Sequence, residues 1–292
     1  MNKNKATNHV FAVILLIALL LYALSFVICL YWTIDTSLKT RTDFRNNPLF
    51  SLPKTWEWGN YKEVFKTITV TIEYGNGTRD VGFLEMYWNS LWIPLILASV
   101  PLLLRAMCAY VLAKYRFKGN GIVYLVVFFA MIIPISNTLP AMLKVLRALG
   151  LYQSFWSVLL MNCHLLDMSF LILYATFKSL SWEYAEAAIV DGASNFRIMM
   201  QIMIPLVMPT LSVFLLTGFI GIWNDYSINL VFLPNHPMAS YGLYQYYTFP
   251  QQRFSVPLQL AASVLVTFPT LVVFVLFKDK LMGNVAAGGL KG

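Results

Sequence analysis

The chain has 292 residues, of which 59% are hydrophobic and 12% charged, with a mean hydropathy of +0.66. This composition excludes an ordinary soluble domain and points to an integral membrane protein. The formal charge of +8 raises nucleic acid as a partner, but seven of the 21 basic residues lie in one segment, 34–88, where acidic side chains partly neutralise them, so no nucleic-acid stripe remains.

In chain order, apolar runs cover 10–33, 89–111, 121–141, 155–177, 207–227 and 258–278. Each is near the roughly 20 residues a helix needs to cross the hydrocarbon core. The expected fold is therefore all-α with six membrane-spanning helices. Lys3 and Lys5 precede the first run as in a signal peptide, but the run is too long for an h-region and lacks a small-x-small cleavage site. It is expected to stay as an anchor behind a short segment, 1–9.

Segment 34–88 is too long for a simple connector. Within it Thr67, Thr69, Thr71 and Glu73 alternate with Ile68, Val70, Ile72 and Tyr74, and Gly75-Asn76-Gly77 follows. That is strand and then turn chemistry, which predicts a small hairpin over 67–83 on the outer face. Asn76-Gly77-Thr78 also fits a glycosylation sequon, and the turn reading is preferred. Short basic segments carrying Lys114, Arg116 and Lys118, and Lys278, Lys280 and Lys291, assign their side, and with it both termini, to the cytoplasm. The membrane core would then cover 89–278, and a tail 279–292.

Pro94, Pro101, Pro134, Pro140, Pro205, Pro209 and Pro269 lie in or beside the runs and mark bends. Cys29, Cys108 and Cys163 all fall inside predicted spans, and an odd number of such thiols reads as packing, not a disulfide framework. No internal repeat is visible, which weighs against an inverted-repeat transporter.

Between the fourth and fifth runs, 179–206 is more elaborate than a connection requires. Ser181 is placed to cap a helix that carries Glu183 in its first turn and runs to about Val190. Gly192 then supplies a stop, Ser194 or Asn195 caps a second piece over 196–203, and Ile204, before Pro205, is expected to leave helical geometry. Ala185, Ala187 and Ala188 leave little bulk, and Glu183 and Glu186 offer charge to a basic partner. The pattern reads as a plug for another protein. An amphipathic helix lying on lipid is the alternative, and two acids without a lysine weigh against an anionic surface.

Glu186-Ala187-Ala188, Asp191-Gly192-Ala193, Phe196, Ile202, Pro205 and Pro209 together resemble the cytoplasmic EAA loop of bacterial ATP-binding-cassette importer permeases. Asn60-Tyr61 with Val64-Phe65, Asn89-Ser90, Tyr110 with Phe117-Lys118-Gly119, and Trp223-Asn224-Asp225 are similar to the carbohydrate-uptake branch of that family. The ending Ala286-Ala287-Gly288-Gly289-Leu290-Lys291-Gly292 is similar to the maltose-type tail that reaches the ATPase dimer. Tyr184 departs from the small or charged residue more usual there, which bears on partner specificity.

The resemblance implies a permease subunit in a bacterial cell membrane, paired with a homologous permease, two cytoplasmic ATP-binding subunits and an extracytoplasmic solute-binding protein, and importing a carbohydrate. It implies that Glu183, Glu186, Ala187, Ala188, Asp191, Gly192 and Phe196 engage the ATPase, with Gly288, Gly289 and Lys291 of the tail reaching toward it. No Gly-x-x-x-x-Gly-Lys-Ser/Thr loop occurs, so ATP and magnesium belong to the partner and no cofactor or metal is expected here.

For the translocation path, Trp223, Asn224, Asp225 and Tyr226 combine the carboxylate, amide and aromatic faces that bind sugars. Asp225 packing beside a sister subunit at the water interface is the alternative. His164 and Asp167, three apart on the predicted fourth span, would share a face toward the bundle interior or an aqueous path. A catalytic reading of that pair lacks both nucleophile and oxyanion site. Arg105 is expected to pair with an acid or a nearby carbonyl, and the tyrosine- and glutamine-rich segment 241–254 to meet another protein or the path's mouth, or to be a solvated loop with snorkelling aromatics. Two other readings remain at this point: a secondary transporter or channel driven by an ion gradient, and a membrane enzyme.

Overall fold

The structure is a computed structural model and describes residues 3–47, 50–75, 77–133, 138–249 and 255–288. Among the described residues three helices are long and apolar enough to cross a membrane: Val10–Ser37, Phe83–Lys114 and Val256–Lys278. Asn195–Leu206 and Met208–Asn224 make a fourth if their pair, bent by 75°, is counted as one. Among the described residues the only sheet is the hairpin Thr69–Tyr74 and Gly77–Gly82, with the expected alternation: Ile68, Val70 and Ile72 are buried while Thr69, Thr71 and Glu73 are exposed. Asn76 lies outside the described residues.

Two of the apolar runs are not single helices. The third run stops at Ile132, where Ile133 turns extended ahead of Pro134, and a separate helix, Leu139–Ala148, follows. The fourth is broken into Phe155–Asn162 and Met168–Ser179. His164 and Asp167 therefore do not share a helical face. They lie in the break, and the Asp167 carboxylate accepts the Ser169 N–H at 2.8 Å to cap the second half.

The chain divides into two compact units. In Val70–Gly242 with Pro269–Gly292, the helix Phe83–Lys114 is the central pillar, packed against Met168–Ser179 and Met208–Asn224. Ala106 and Ala109 are fully buried on it and let the facing Phe170, Leu173 and Phe177 come close. Small residues matter here because packing, not exclusion of water, joins helices in lipid. Asn89 donates to the Pro237 carbonyl at 3.0 Å, and Ser90 Oγ accepts the Ala239 N–H at 2.8 Å, fastening the 237–239 segment to the pillar. Buried Asn229 donates to the carbonyls of Leu233 and His236 and accepts the Met238 N–H, so that one amide organises a whole turn.

In Met1–Thr69 with Leu243–Phe268, Asn60 and Tyr61 bracket the end of the first helix. The Asn60 amide donates to the carbonyls of Ser37 and Lys39 at 2.8 and 2.9 Å, and the hydroxyls of Tyr61 and Ser37 lie 2.7 Å apart. Lys39 and Asp35 form a buried ion pair at 2.6 Å one turn apart on the same stretch.

Candidate functional site

The 179–206 loop folds as two short helices around a stop. Glu183–Val190 begins where Ser181 Oγ accepts the Glu183 N–H at 3.2 Å. It ends with Ala193 N–H bonded to the Ala188 carbonyl at 2.9 Å and Gly192 N–H to that of Ile189 at 3.0 Å. This crossed pair is a Schellman stop, and it needs the left-handed φ of +78° that Gly192 adopts. Ser194 Oγ then accepts the Arg197 N–H at 3.4 Å and opens Asn195–Ile198.

The second piece does not end before Pro205. A π-turn, Met199–Met203, continues into Ile204–Leu206, and Ile204 keeps helical φ and ψ of −64° and −45°. The preference of a pre-proline residue for extended backbone loses here because the widened turn bonds Ile204 N–H to Met199, five residues back, and carries the chain past the ring. The break falls at Val207, which is buried together with Met203 and Ile204.

Exposure sorts the loop into two faces. Glu183, Glu186, Ala187, Asp191, Gly192 and Phe196 are exposed, joined by Tyr184, Ile189 and Val190, the last at 88%. Ala185 and Ala188 are turned the other way, at 0% and 8%, into the chain's own core. Their smallness serves close packing within the chain and does not clear space for a partner, since residues three apart on a helix share one face. The loop is also tied to the pillar: Lys114 Nζ donates to the Leu180 carbonyl at 2.6 Å, and the Tyr115 and Trp182 rings meet edge to face at 5.9 Å. Gly288 ends the last helix, and Gly289 and Lys291 lie outside the described residues.

A second feature is a cavity of about 410 Å³ whose apolar wall includes Leu97, Leu102, Phe214 and Phe232. Its polar lining brings together Arg105, His164, Asp167 and Asp225. Arg105 donates from Nε to the His164 carbonyl and from Nη2 to that of Asn162, both at 2.9 Å, and its Nη1 stands 3.5 Å from the Asp167 carboxylate. The guanidinium thus fills the break in the fourth run with the acid and the carbonyls together. Ser169 and Ser227 were not among the residues singled out from sequence. Each lies two residues after an aspartate and donates to it from both N–H and hydroxyl, so Asp167 and Asp225 sit in matching Asp-x-Ser turns on the same cavity. The Asp-x-Ser spacing was the available signal.

The other expected path residues are placed elsewhere. Trp223 is fully buried against Tyr87 and Phe219, Asn224 donates to the Ile220 carbonyl of its own helix, and Tyr226 is exposed without lining the cavity. Among the described residues no group of three or more His, Cys, Asp or Glu is arranged to hold a metal ion.

Comparison with known proteins follows the same outline. The diacetylchitobiose uptake system permease protein NgcG of Streptomyces coelicolor is 26% identical, over 97% of this chain and 90% of its own. The galactooligosaccharides transport system permease protein GanQ of Bacillus subtilis is 27% identical, over 95% and 96%. In fold, the chain is similar to one from a crystal structure of a bacterial ABC transporter involved in import of the acidic polysaccharide alginate, with a TM-score of 0.78, 20% identity and coverage of 94% and 97%. Residues 105–280, which hold the exposed loop and the polar lining of the cavity, match the model of the binding-protein-dependent transport system inner membrane component, and the chain belongs to that family of multi-pass, non-enzymatic transport subunits.

Proposed function

We propose that this chain is a permease subunit of an ATP-driven, binding-protein-dependent carbohydrate importer, and that it converts closure of separate ATPase subunits into alternating access. The observation that carries this reading is the outward rim of the 179–206 loop. It is a short helix stopped by a glycine, with acids and apolar side chains exposed together. Exposed apolar groups at a fixed helical stop are the mark of a surface made to be covered. Family membership and relatives whose names attach them to diacetylchitobiose and galactooligosaccharides support an oligosaccharide cargo. They favour it over an ion-gradient carrier.

In this reading the chain crosses the membrane six times with both termini cytoplasmic, the third and fourth crossings being built from the shorter helices. Glu183, Glu186, Ala187, Asp191, Gly192 and Phe196 meet the ATPase, and the tail Gly288, Gly289 and Lys291 approaches it. Ala188 supports that helix from behind. His164, Asp167 and Asp225 face the path, while Trp223 and Asn224 pack within the helix end that leads to Asp225 and Tyr226 lies exposed beyond it. The partners are a homologous permease, two ATP-binding subunits that use ATP and magnesium, and an extracytoplasmic binding protein. A related-fold transporter has been seen with a periplasmic protein carrying alginate pentasaccharide, which supports the last of these. Proteoliposomes holding the full assembly test the proposal. Oligosaccharide uptake is expected only with ATP, binding protein and ATPase together, and uptake sustained by an ion gradient without ATPase would refute it.

A further inference from the structure

The charged groups lining the 410 Å³ cavity are one cation and two anions, counting His164 as neutral: Arg105 against Asp167 and Asp225. Arg105 already holds two carbonyls and stands beside the Asp167 carboxylate, so its charge is offset within the wall of the cavity. Asp167 is likewise engaged by Arg105 and Ser169. Asp225 is different. Its Oδ1 accepts both the N–H and the hydroxyl of Ser227, at 2.9 and 2.5 Å, while Oδ2 has no hydrogen-bond partner among the described residues. The cavity thus presents one uncompensated carboxylate, held in a fixed orientation by its own turn, with one oxygen left to accept.

Resting on the carbohydrate reading above, we infer that this cavity selects against anionic saccharides and takes neutral ones, with Asp225 as the specificity-determining group. A free carboxylate oxygen accepts hydrogen bonds from sugar hydroxyls, and charge-assisted bonds of this kind are the stronger ones. The same oxygen repels a uronate or sulfonate in a chamber whose apolar wall screens poorly. Cargo charge is a real choice among similar proteins, since the names of such proteins include both galactooligosaccharides and the acidic polysaccharide alginate.

The test is equilibrium binding to the complete, purified transporter in lipid nanodiscs, without the binding protein, so that only the membrane chamber discriminates. The probes are neutral trisaccharides of glucose and galactose and their uronate counterparts of the same linkage. The wild type is expected to bind its best neutral sugar at least roughly tenfold more tightly than the matching uronate. Asp225→Asn keeps an oxygen for Ser227 and is expected to shrink that ratio to about threefold or less, while Asp225→Glu restores it. Equal binding of the two charges by the wild type, or an unchanged ratio in Asp225→Asn, overturns the selection and leaves the carbohydrate reading standing. Binding of neither class also overturns the selection, and the carbohydrate reading is decided separately by the uptake assay in proteoliposomes.

Discussion

Gly192 shows how a single backbone angle fixes a surface. Its φ of +78° closes the stop that points Asp191, Val190 and Phe196 outward, and no atom lies within 4 Å of where a Cβ would sit. The cost of Gly192→Val is therefore backbone strain alone, about 1–2 kcal/mol, enough to weaken docking roughly tenfold. Binding-protein-stimulated ATPase activity and uptake are expected to fall together, and Gly192→Asn to be milder because asparagine visits this region more readily. If both activities survive Gly192→Val unchanged, coupling does not pass through the turn. Gly192, Ser181 and Ser194 were legible in sequence because stops and caps are made with neighbours two to five residues away. The facing of Ala185 and Ala188 was not. An eight-residue helix offers small residues on more than one side, and only the bundle decides which side it covers.

At the scale of elements, the broken fourth run carries the same lesson. Nothing between Phe155 and Phe177 forbids a continuous apolar helix, and the interruption is held by Arg105, which reaches carbonyls 57 and 59 residues away. Such a contact is invisible to periodicity, although the expectation that Arg105 would find an acid or a carbonyl is met by both. Arg105→Met should leave two carbonyls and the Asp167 carboxylate uncompensated and destabilise the protein by about 2–4 kcal/mol. Thermal unfolding of the detergent-solubilised assembly would report it. Arg105→Lys is expected to rescue little, because an ammonium cannot reproduce the guanidinium's fork. Arg105→Met combined with Asp167→Leu should recover part of the loss by removing the stranded charge. If the double variant is as unstable as the sum of the singles, the ion pair is not what holds the break. By contrast, the long spans Phe83–Lys114 and Val256–Lys278 and the 69–82 hairpin followed from apolar length and from period-two alternation, while the last helix runs on to Gly288 into what the sequence assigned to a tail.

For the whole molecule, the first helix is the informative part. Its most apolar stretch within Val10–Ser37 is 0% buried, whereas 44% of that in Phe83–Lys114 is. Under the proposed pairing with a homologous permease, a photoreactive residue placed at Leu20 or Val27, 60% and 59% exposed, is expected to capture that subunit in membranes. Absence of the crosslink from every position around the helix would leave this face to lipid alone. The pillar Phe83–Lys114 bears on a different question, that of stiffness. Its lower end holds the 179–206 loop through Lys114 and Tyr115, and Arg105, in the wall of the cavity, stands nine residues higher, about 14 Å along the axis. The two are joined by continuous helix. If the proposed coupling is right, the stretch from Arg105 to Lys114 carries it as a single helical segment, and a displacement imposed on the rim is expected to appear at Arg105.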